Sequence, residues 1–561
     1  MKKLGGVTKG TLSNIGFDKQ NNLSKEILLF LYFLTTIIIF AALLLRLFQL
    51  TIVKGNYYHT LADNNRTKEL ILEAKRGKIT DRKGLAIAQN LDINIDLNQE
   101  RIISRREYFY PQAIAHLIGY RQLADSQDLK DDNCLTKLRV GDKIGKKGIE
   151  KLFDCELRGK AGKKLIELTA RGEYKKTLSI IPSQPGQTLQ LAIDLELQNK
   201  TYELIKDKKT AVVAVRPNTG EILLFVSSPS FNPEDFESPN IKQITTYFQD
   251  KNKPLLNRIT EGVYPPGSIF KLIVATGALE EKKITAQTLI EDKGILTAGP
   301  LTFGNWYYLQ YGKTDGQVDV VKAIARSNDI FFYQVGNLLG EQKIKKWAEI
   351  FSYGKKTHLG LEEAEGTLPS SFWKKETLKE NWYLGDTYNY SIGQGYTLVT
   401  PMQTVMVTAA IANNGYLCQP QFLKNETPKC RKLPIATTTL ALIKEGMKRA
   451  CSPGGTGWPL FEFSIKNANT SAALLPTLTQ EKSTASASNQ QANIKIQTAC
   501  KTGTAESQSQ DKNPHAWFTA YAPFDKPEIA ITVLVENGGQ GSDIAGPIVR
   551  EILREYFERE N

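Results

Sequence analysis

The sequence predicts an α+β protein in three parts. These are a single apolar N-terminal helix, a β-rich middle region, and a larger domain in which helices flank an antiparallel sheet. Three observations predict it. One apolar run near the N-terminus is long enough to cross a hydrocarbon layer. The segment after it is a series of short strand and turn signals. In the remainder, strand patterns at both ends enclose a mostly helical stretch. At 561 residues the chain exceeds one ordinary core, so at least two domains are expected.

The first element runs from Ile27 to Leu45 and is interrupted only by Tyr32, Thr35 and Thr36. A helix of roughly 20 such residues spans a bilayer. No small-x-small cleavage site follows it, as a secretory signal would require. Lys2, Lys3, Lys9, Lys19 and Lys25 precede it against a single Asp18. Short positive flanks stay in the cytoplasm. The expected layout is therefore a cytoplasmic tail over 1–25, a transmembrane signal anchor over 26–50, and everything later outside.

Residues 51–188 read as a β-rich spacer. Arg76-Gly77-Lys78-Ile79-Thr80-Asp81-Arg82-Lys83-Gly84-Leu85-Ala86 is followed by alternating Ile93, Ile95 and Leu97, and the turn-rich Pro182 to Gly186 closes the region. The Gly141, Gly145 and Gly148 cluster lacks the Lys-Ser or Lys-Thr of a phosphate loop. The last region, 189–561, opens with a strand at Leu191–Leu195 feeding a helix through Ile205. A hairpin of 211–215 and 222–226 about Asn218-Thr219-Gly220 follows. Helices with loops fill 268 to about 450. Strands at 494–500, 517–521 and 529–535 and a helix at 547–557 complete one antiparallel sheet. Residues 466–493, rich in Ser, Thr, Ala, Gln and Asn, are expected to be a disordered insertion.

The net charge of +13 and pI near 9.1 fit an anionic envelope or lipid surface. No nucleic-acid-binding motif is present, so nucleic acid is not an expected partner. The four histidines are scattered and no Cys-x-x-Cys occurs, which argues against a metal; no cofactor is expected. The six cysteines all lie in the outer part, where disulfides and buried free thiols are both open. Cys418 and Cys430 are close enough to clip one loop.

Three short runs carry the chemistry: Ser268-Ile-Phe-Lys271, Ser327-Asn328-Asp329 and Lys501-Thr502-Gly503. Together they supply a serine nucleophile, an amine to take its proton, a second hydroxyl to pass that proton on, and a distant cation for an anionic substrate. Alone each is weak, since roughly three Ser-x-x-Lys matches arise by chance in such a chain. Ser371-Phe-Trp-Lys374 is one such match and is expected to be a surface turn. At the first run, Tyr264-Pro-Pro-Gly267 breaks any preceding helix and Ser268 opens the next. Lys271, three residues on, then shares its face and reaches its hydroxyl. Phe270 and Leu272 flank the lysine with apolar surface, which lowers an amine's pKa.

These runs, in this order behind an anchor and spacer, resemble a class B penicillin-binding protein, and more narrowly the elongation-type penicillin-binding protein 2. The resemblance covers the chain from about residue 45. It is supported by Gly145-Lys-Lys-Gly-Ile-Glu150, Leu256-Asn-Arg258, Trp382-Tyr-Leu-Gly-Asp386, Gly393-Gln-Gly395 and His515-Ala-Trp-Phe-Thr-Ala-Tyr-Ala-Pro523. It implies a pedestal (dimerisation-type) domain over 51–188 and a serine β-lactamase-like transpeptidase domain over 189–561.

For activity it implies that Ser268 attacks the penultimate D-alanine of a peptidoglycan stem peptide, with Lys271 as base. Ser327 relays a proton, Asp329 orients lysine and substrate, and Lys501 adds positive potential. Thr502 and Thr504, with Gly503 between them, hold the terminal carboxylate, and the N–H groups of Ser268 and Thr504 form an oxyanion hole. An amine of a neighbouring stem then takes the acyl group, and β-lactams acylate Ser268 as mimics. Also implied are a RodA-type glycosyltransferase, MreC-like scaffold proteins, a role in cell shape, and a place in the bacterial cytoplasmic (inner) membrane; nothing N-terminal to residue 188 resembles a glycosyltransferase domain, so none is expected in this chain. Most relatives carry Asn at the position of Asp329, and a carboxylate there would raise the pKa of Lys271. A D,D-carboxypeptidase or β-lactamase-like hydrolase, a septal transpeptidase, and a non-catalytic penicillin-binding or sensing scaffold remain as alternatives.

Overall fold

The computed structural model describes residues 21–96, 101–169, 171–237, 240–466, 493–507 and 513–560. The insertion expected over 466–493 therefore lies, apart from its two end residues, outside the described residues. Backbone packing divides the chain into a smaller unit, comprising residues up to Leu72, Asp96–Ile102 and Gly162–Pro182, and a larger one holding the rest.

In the smaller unit, helix α1 (Asn21–Phe48) carries the apolar run. Residues Lys25–Val53 form one continuous helical span of 29 residues with no buried side chain, and an 18-residue window within it has mean hydropathy 2.8, long and apolar enough to cross a bilayer. Thr35 and Thr36 each donate a hydroxyl hydrogen bond to the Tyr32 carbonyl, so these two threonine hydroxyls inside the run are satisfied by the helix itself. Strand Thr67–Leu72 pairs antiparallel with Gly162–Leu168, which pairs in turn with Tyr174–Ile181.

The larger unit begins with strand residues Ile79 and Thr80, paired with Ala88 and Ala86 on one side and with Leu189 and Gln190 on the other. Helices Pro111–Ile118 and Gly148–Leu152 pack together beside them. A buried ionic cluster joins these segments. Glu150 accepts from Arg76 Nε at 2.5 Å and Arg106 Nε at 2.8 Å, and Arg76 also meets Asp154 at 2.8 Å. A buried charge needs such pairing, because each ion taken out of water costs several kcal/mol.

The main sheet has five antiparallel strands. They are β1 (Thr210–Val215), β2 (Ile222–Ser228), β3 (Ala499–Ala505), β4 (His515–Ala522) and β5 (Ile529–Val535), in the spatial order β2-β1-β5-β4-β3. The N-terminal hairpin and the C-terminal strands thus close one sheet through the β1–β5 pairing, Val212 opposite Val533. Both faces are covered, so β1, β2 and β5 read as near-continuous apolar runs buried throughout, while the core that each side chain enters alternates with period two. Ala211, Val213 and Val215 enter one core, and Val212 and Ala214 the other. The first core holds α2 (Lys271–Glu280), α3 (Asp329–Leu339) and α4 (Pro401–Ala412); the second holds α5 (Gly546–Glu560).

Several expectations are corrected. The strand expected over Leu191–Leu195 is only Leu189–Gln190 with a bridge at Leu191. Asp194 instead caps helix Leu195–Ile205 by accepting from the Leu197 N–H. The strand expected over 494–500 is two elements: Asn493–Lys495 pairs with Ser464–Lys466, and the sheet strand starts at Ala499. The six cysteines form three disulfides, Cys134–Cys155, Cys418–Cys430 and Cys451–Cys500.

Candidate active site

The chain enters the site along Tyr264-Pro-Pro-Gly267, held by a hydrogen bond from Trp517 Nε1 to the Pro265 carbonyl at 2.9 Å. Gly267 has φ +54°, and a Cβ there would lie 2.9 Å from the Thr504 carbonyl oxygen. A Cβ on Gly393, at φ +73°, would lie 2.3 Å from the Gly267 oxygen. Only glycine permits these backbones to approach so closely, and the approach sets the Ser268 turn against β3. Ser268 sits in a single 3₁₀ turn, Gly267–Ile269, partly exposed and facing a cleft of about 840 Å³.

Lys271 starts α2 and is fully buried. Its Nζ donates to Asp329 Oδ1 at 2.6 Å and to the Ser327 carbonyl at 2.8 Å, with Ser327 Oγ at 3.4 Å. Among the described residues it makes no hydrogen bond to Ser268 Oγ, contrary to the reach expected from the three-residue spacing. The charge-assisted bond to Asp329 is the stronger and draws the amine toward α3. Burial lowers the lysine's pKa, and the Asp329 carboxylate, which opposes this, does not overcome it.

Ser327 caps the C-terminus of helix Val320–Arg326 in the left-handed region, at φ +54°. A non-glycine residue in that region costs free energy and persists only where its surroundings fix it. The fixing comes from Asn328. It caps α3 by accepting from the Phe331 N–H at 2.9 Å, and its Nδ2 donates to Asp292 at 2.8 Å and to Asp315 at 3.1 Å. Asp292 also receives Asn305 Nδ2 at 2.8 Å. Asn305 accepts from the Asp329 N–H at 3.1 Å, and the Trp306 N–H reaches Asp329 Oδ2 at 3.0 Å. The triplet is thus a helix cap as well as a wall of the cleft.

Lys501, from β3, is fully buried, and its Nζ donates to Ser327 Oγ at 2.8 Å and to the Thr502 carbonyl at 3.0 Å. Burial, then the neighbouring Lys271, pushes its pKa well down. One hydroxyl thus lies between two buried amines, a chain of donors and acceptors that can move a proton with either lysine neutral. Thr502 Oγ1 donates to Thr456 Oγ1 at 2.9 Å; Thr504 Oγ1 accepts from the Gly541 N–H at 3.3 Å. Ser268, Ser327, Asp329, Thr502 and Thr504 all line the cleft. Lys271 and Lys501 stand behind that wall, and a Cβ on Gly503 would lie 3.0 Å from Trp517 Cβ and 3.1 Å from the Pro266 carbonyl oxygen.

Sequence reasoning missed Thr456, the Asp292–Asn305 support and Trp306, Tyr311 and Trp458 on the cleft walls. No spacing signal marks them, because they come from short elements and turns far apart in the chain: the strand Ile290–Asp292, the helix Trp306–Tyr311 and the 3₁₀ turn Trp458–Leu460. Ser371-Phe-Trp-Lys374 is corrected: it is no surface turn. It opens helix Ser371–Leu378, capped by Ser370 through the Trp373 N–H. Lys374 is buried, pairing with Asp386 Oδ2 at 2.9 Å, while Ser371 Oγ donates to Glu341 at 2.8 Å. The two side chains therefore have other partners.

Residues 210–554 match the family described as "Penicillin binding protein transpeptidase domain", and 95–191 match "Penicillin-binding Protein dimerisation domain". The chain is 30% identical to the peptidoglycan D,D-transpeptidase MrdA of Salmonella typhimurium (strain SL1344), over 93% of this chain and 94% of the relative. Its fold is similar to that of the penicillin-binding protein PBP2 of Helicobacter pylori, solved in complex with MreC: TM-score 0.71, 27% identity, 88% of this chain and 99% of that one. It is also similar to a chain of a peptidoglycan synthase complex that coordinates polymerization and crosslinking, with TM-score 0.72 and 26% identity over 95% and 98% of the two chains. With these relatives and this pair of domains, the chain belongs to the class B penicillin-binding proteins, in the elongation-type PBP2 branch.

Proposed function

We propose that this protein is a membrane-anchored serine peptidoglycan D,D-transpeptidase that cross-links stem peptides during cell elongation. The observation that carries the site assignment is the contact of Ser327 Oγ with Lys501 at 2.8 Å and Lys271 at 3.4 Å, on a cleft that Ser268 also lines. Ser268 Oγ attacks the carbonyl carbon of the penultimate D-alanine, and its proton passes to neutral Lys271. The tetrahedral oxyanion takes hydrogen bonds from the Ser268 and Thr504 N–H groups. It collapses to the acyl-enzyme as the terminal D-alanine leaves, protonated through Ser327. The stem's terminal carboxylate rests on Thr502 and Thr504 in the potential of Lys501, and Asp329 orients Lys271. An acceptor amine then attacks the ester, giving an amide and restoring Ser268. A β-lactam opens on the same hydroxyl.

Residues 1–25 are a cytoplasmic tail, 26–50 the anchor, 51–188 the pedestal and 189–561 the transpeptidase domain. The long apolar helix and the membership of the family support anchoring with the catalytic part outside; the membrane is the bacterial cytoplasmic (inner) membrane. The similarity to chains solved with MreC and in a synthase complex supports an MreC-like scaffold and a RodA-type polymerase as partners. The test supplies the full chain in detergent with polymerised pentapeptide glycan and follows D-alanine release and cross-linked dimers. Transpeptidation requires both, and both vanish in Ser268→Ala. Release of D-alanine without dimers would favour a carboxypeptidase, and a Ser268→Ala strain that still elongates would favour a scaffold.

A further inference from the structure

A second cleft, of about 800 Å³, shares no lining residue with the catalytic one. Its walls are the loop 351–358, the start of α4 and the small hairpin of Tyr416–Cys418 with Cys430–Lys432. Its charge is one-sided. Lys346, Lys355, Lys356, Lys429 and Arg431 line it against a single carboxylate, Glu349. Lys346 is drawn off to Glu281 at 3.2 Å, and Lys429 stands 3.9 Å from Glu426. Lys355, Lys356 and Arg431 make no ion pair with a carboxylate among the described residues.

The frame that presents these cations is fixed. The Cys418–Cys430 disulfide staples the hairpin beside Lys429 and Arg431. Arg431 Nη2 donates to the Ile350 carbonyl at 2.6 Å and to Ser352 Oγ at 2.9 Å, which ties the hairpin to the loop. Gln403, buried in α4, donates to the carbonyls of Lys355 and Glu365 at 2.8 and 2.9 Å and so holds the base of the lysine pair. Like charges held together repel unless an anion joins them, and a concave wall focuses their field. The guanidinium keeps free donors suited to a planar oxyanion.

We propose that this cleft is an accessory anion site that binds carboxylate or phosphate groups of the wall polymer or its precursor. That the ligand comes from the wall rests on the transpeptidase reading; the affinity for oxyanions does not. The cleft would hold a neighbouring strand while the catalytic cleft works on another.

The experiment titrates the full chain in detergent with two probes, a disaccharide tripeptide with free carboxylates and inorganic pyrophosphate, at low and raised salt. The variants are Arg431→Gln and the double variant Lys355→Gln with Lys356→Gln. Saturable binding that weakens with salt, and by about tenfold or more in either variant, supports the site. Binding of the tripeptide alone assigns carboxylates, and of pyrophosphate alone assigns phosphate. Labelling of Ser268 by a fluorescent penicillin is expected to be unchanged in all variants. No saturable binding of either probe, or equal binding in wild type and both variants, overturns the proposal. Loss of penicillin labelling in the wild type would instead count against the transpeptidase reading alone.

Discussion

Replacing Asp329 by asparagine isolates the electrostatic half of the proposed mechanism. Asp329 Oδ1 is 2.6 Å from a fully buried Lys271 Nζ, while its Oδ2 takes the Trp306 N–H at 3.0 Å. Asparagine keeps the shape and an oxygen for Trp306 but removes the charge. At this separation and an effective dielectric near 20, the gross attraction is about 6 kcal/mol, most of it offset by the cost of burying both ions. The net effect of one adjacent opposite charge on an amine is about 1–3 pKa units. Burial already lowers the Lys271 pKa and the carboxylate pulls it back up, so its loss sends the amine further down. A base must be neutral, and the acylation rate rises as pH passes its pKa. The acid limb of the profile is therefore expected to move to lower pH by about 1–3 units. Stopped-flow acylation by a fluorescent penicillin across pH reads this directly, with the thermal unfolding midpoint as a check on the fold. An acid limb that stays in place or moves upward in a folded Asp329→Asn protein would refute Lys271 as the base.

Three further outcomes are expected. Ser327→Ala removes the hydroxyl between the two amines and should slow acylation by about 10²–10⁴-fold in the same assay, while circular dichroism stays unchanged. Burial alone would raise the Glu150 carboxyl, but the Arg106, Arg76 and Arg121 guanidiniums outweigh it and hold it at about 2, so its stabilisation is complete above the unfolded value near 4.5 and lost as pH falls toward 2. Glu150→Gln should accordingly cost about 3–5 kcal/mol in urea titrations at neutral pH and flatten the acid dependence; an unchanged midpoint would contradict the cluster's role. Replacing Cys451 and Cys500 together by serine opens a closure of 49 residues and should cost about 4 kcal/mol of stability by the chain-entropy relation. Because Cys500 directly precedes Lys501, the loss of stability should come with slower penicillin acylation, and equal rates would deny the bridge a positioning role.

The sequence made legible what is local or strongly patterned. The hairpin of 211–215 and 222–226 stands because β-branched runs flank an Asn-Thr-Gly turn, and β5 was readable as Ile529–Val535 for the same reason. The order of the three chemical runs pointed to one cleft, and the structure brings Ser268, Ser327, Thr502 and Thr504 to its wall with both lysines behind. What stayed hidden depends on long-range packing. Spacing placed Lys271 beside Ser268, but a carboxylate 58 residues away holds its amine. Ser371-Phe-Trp-Lys374 read as a surface turn because Asp386, the partner that holds Lys374 in a buried position, lies on another helix. The cysteine spacings left pairing open, and the cations of the second cleft come from segments that nothing in the sequence links.

Catalysis by acyl transfer depends on which hydroxyl becomes the ester. Incubating the full chain with penicillin, digesting it and sequencing the modified peptide by mass spectrometry gives the most direct answer. One acyl adduct on the peptide bearing Ser268, absent from Ser268→Ala, is the expected result. An adduct on Ser327 or Ser371, or none in a folded protein, would contradict it.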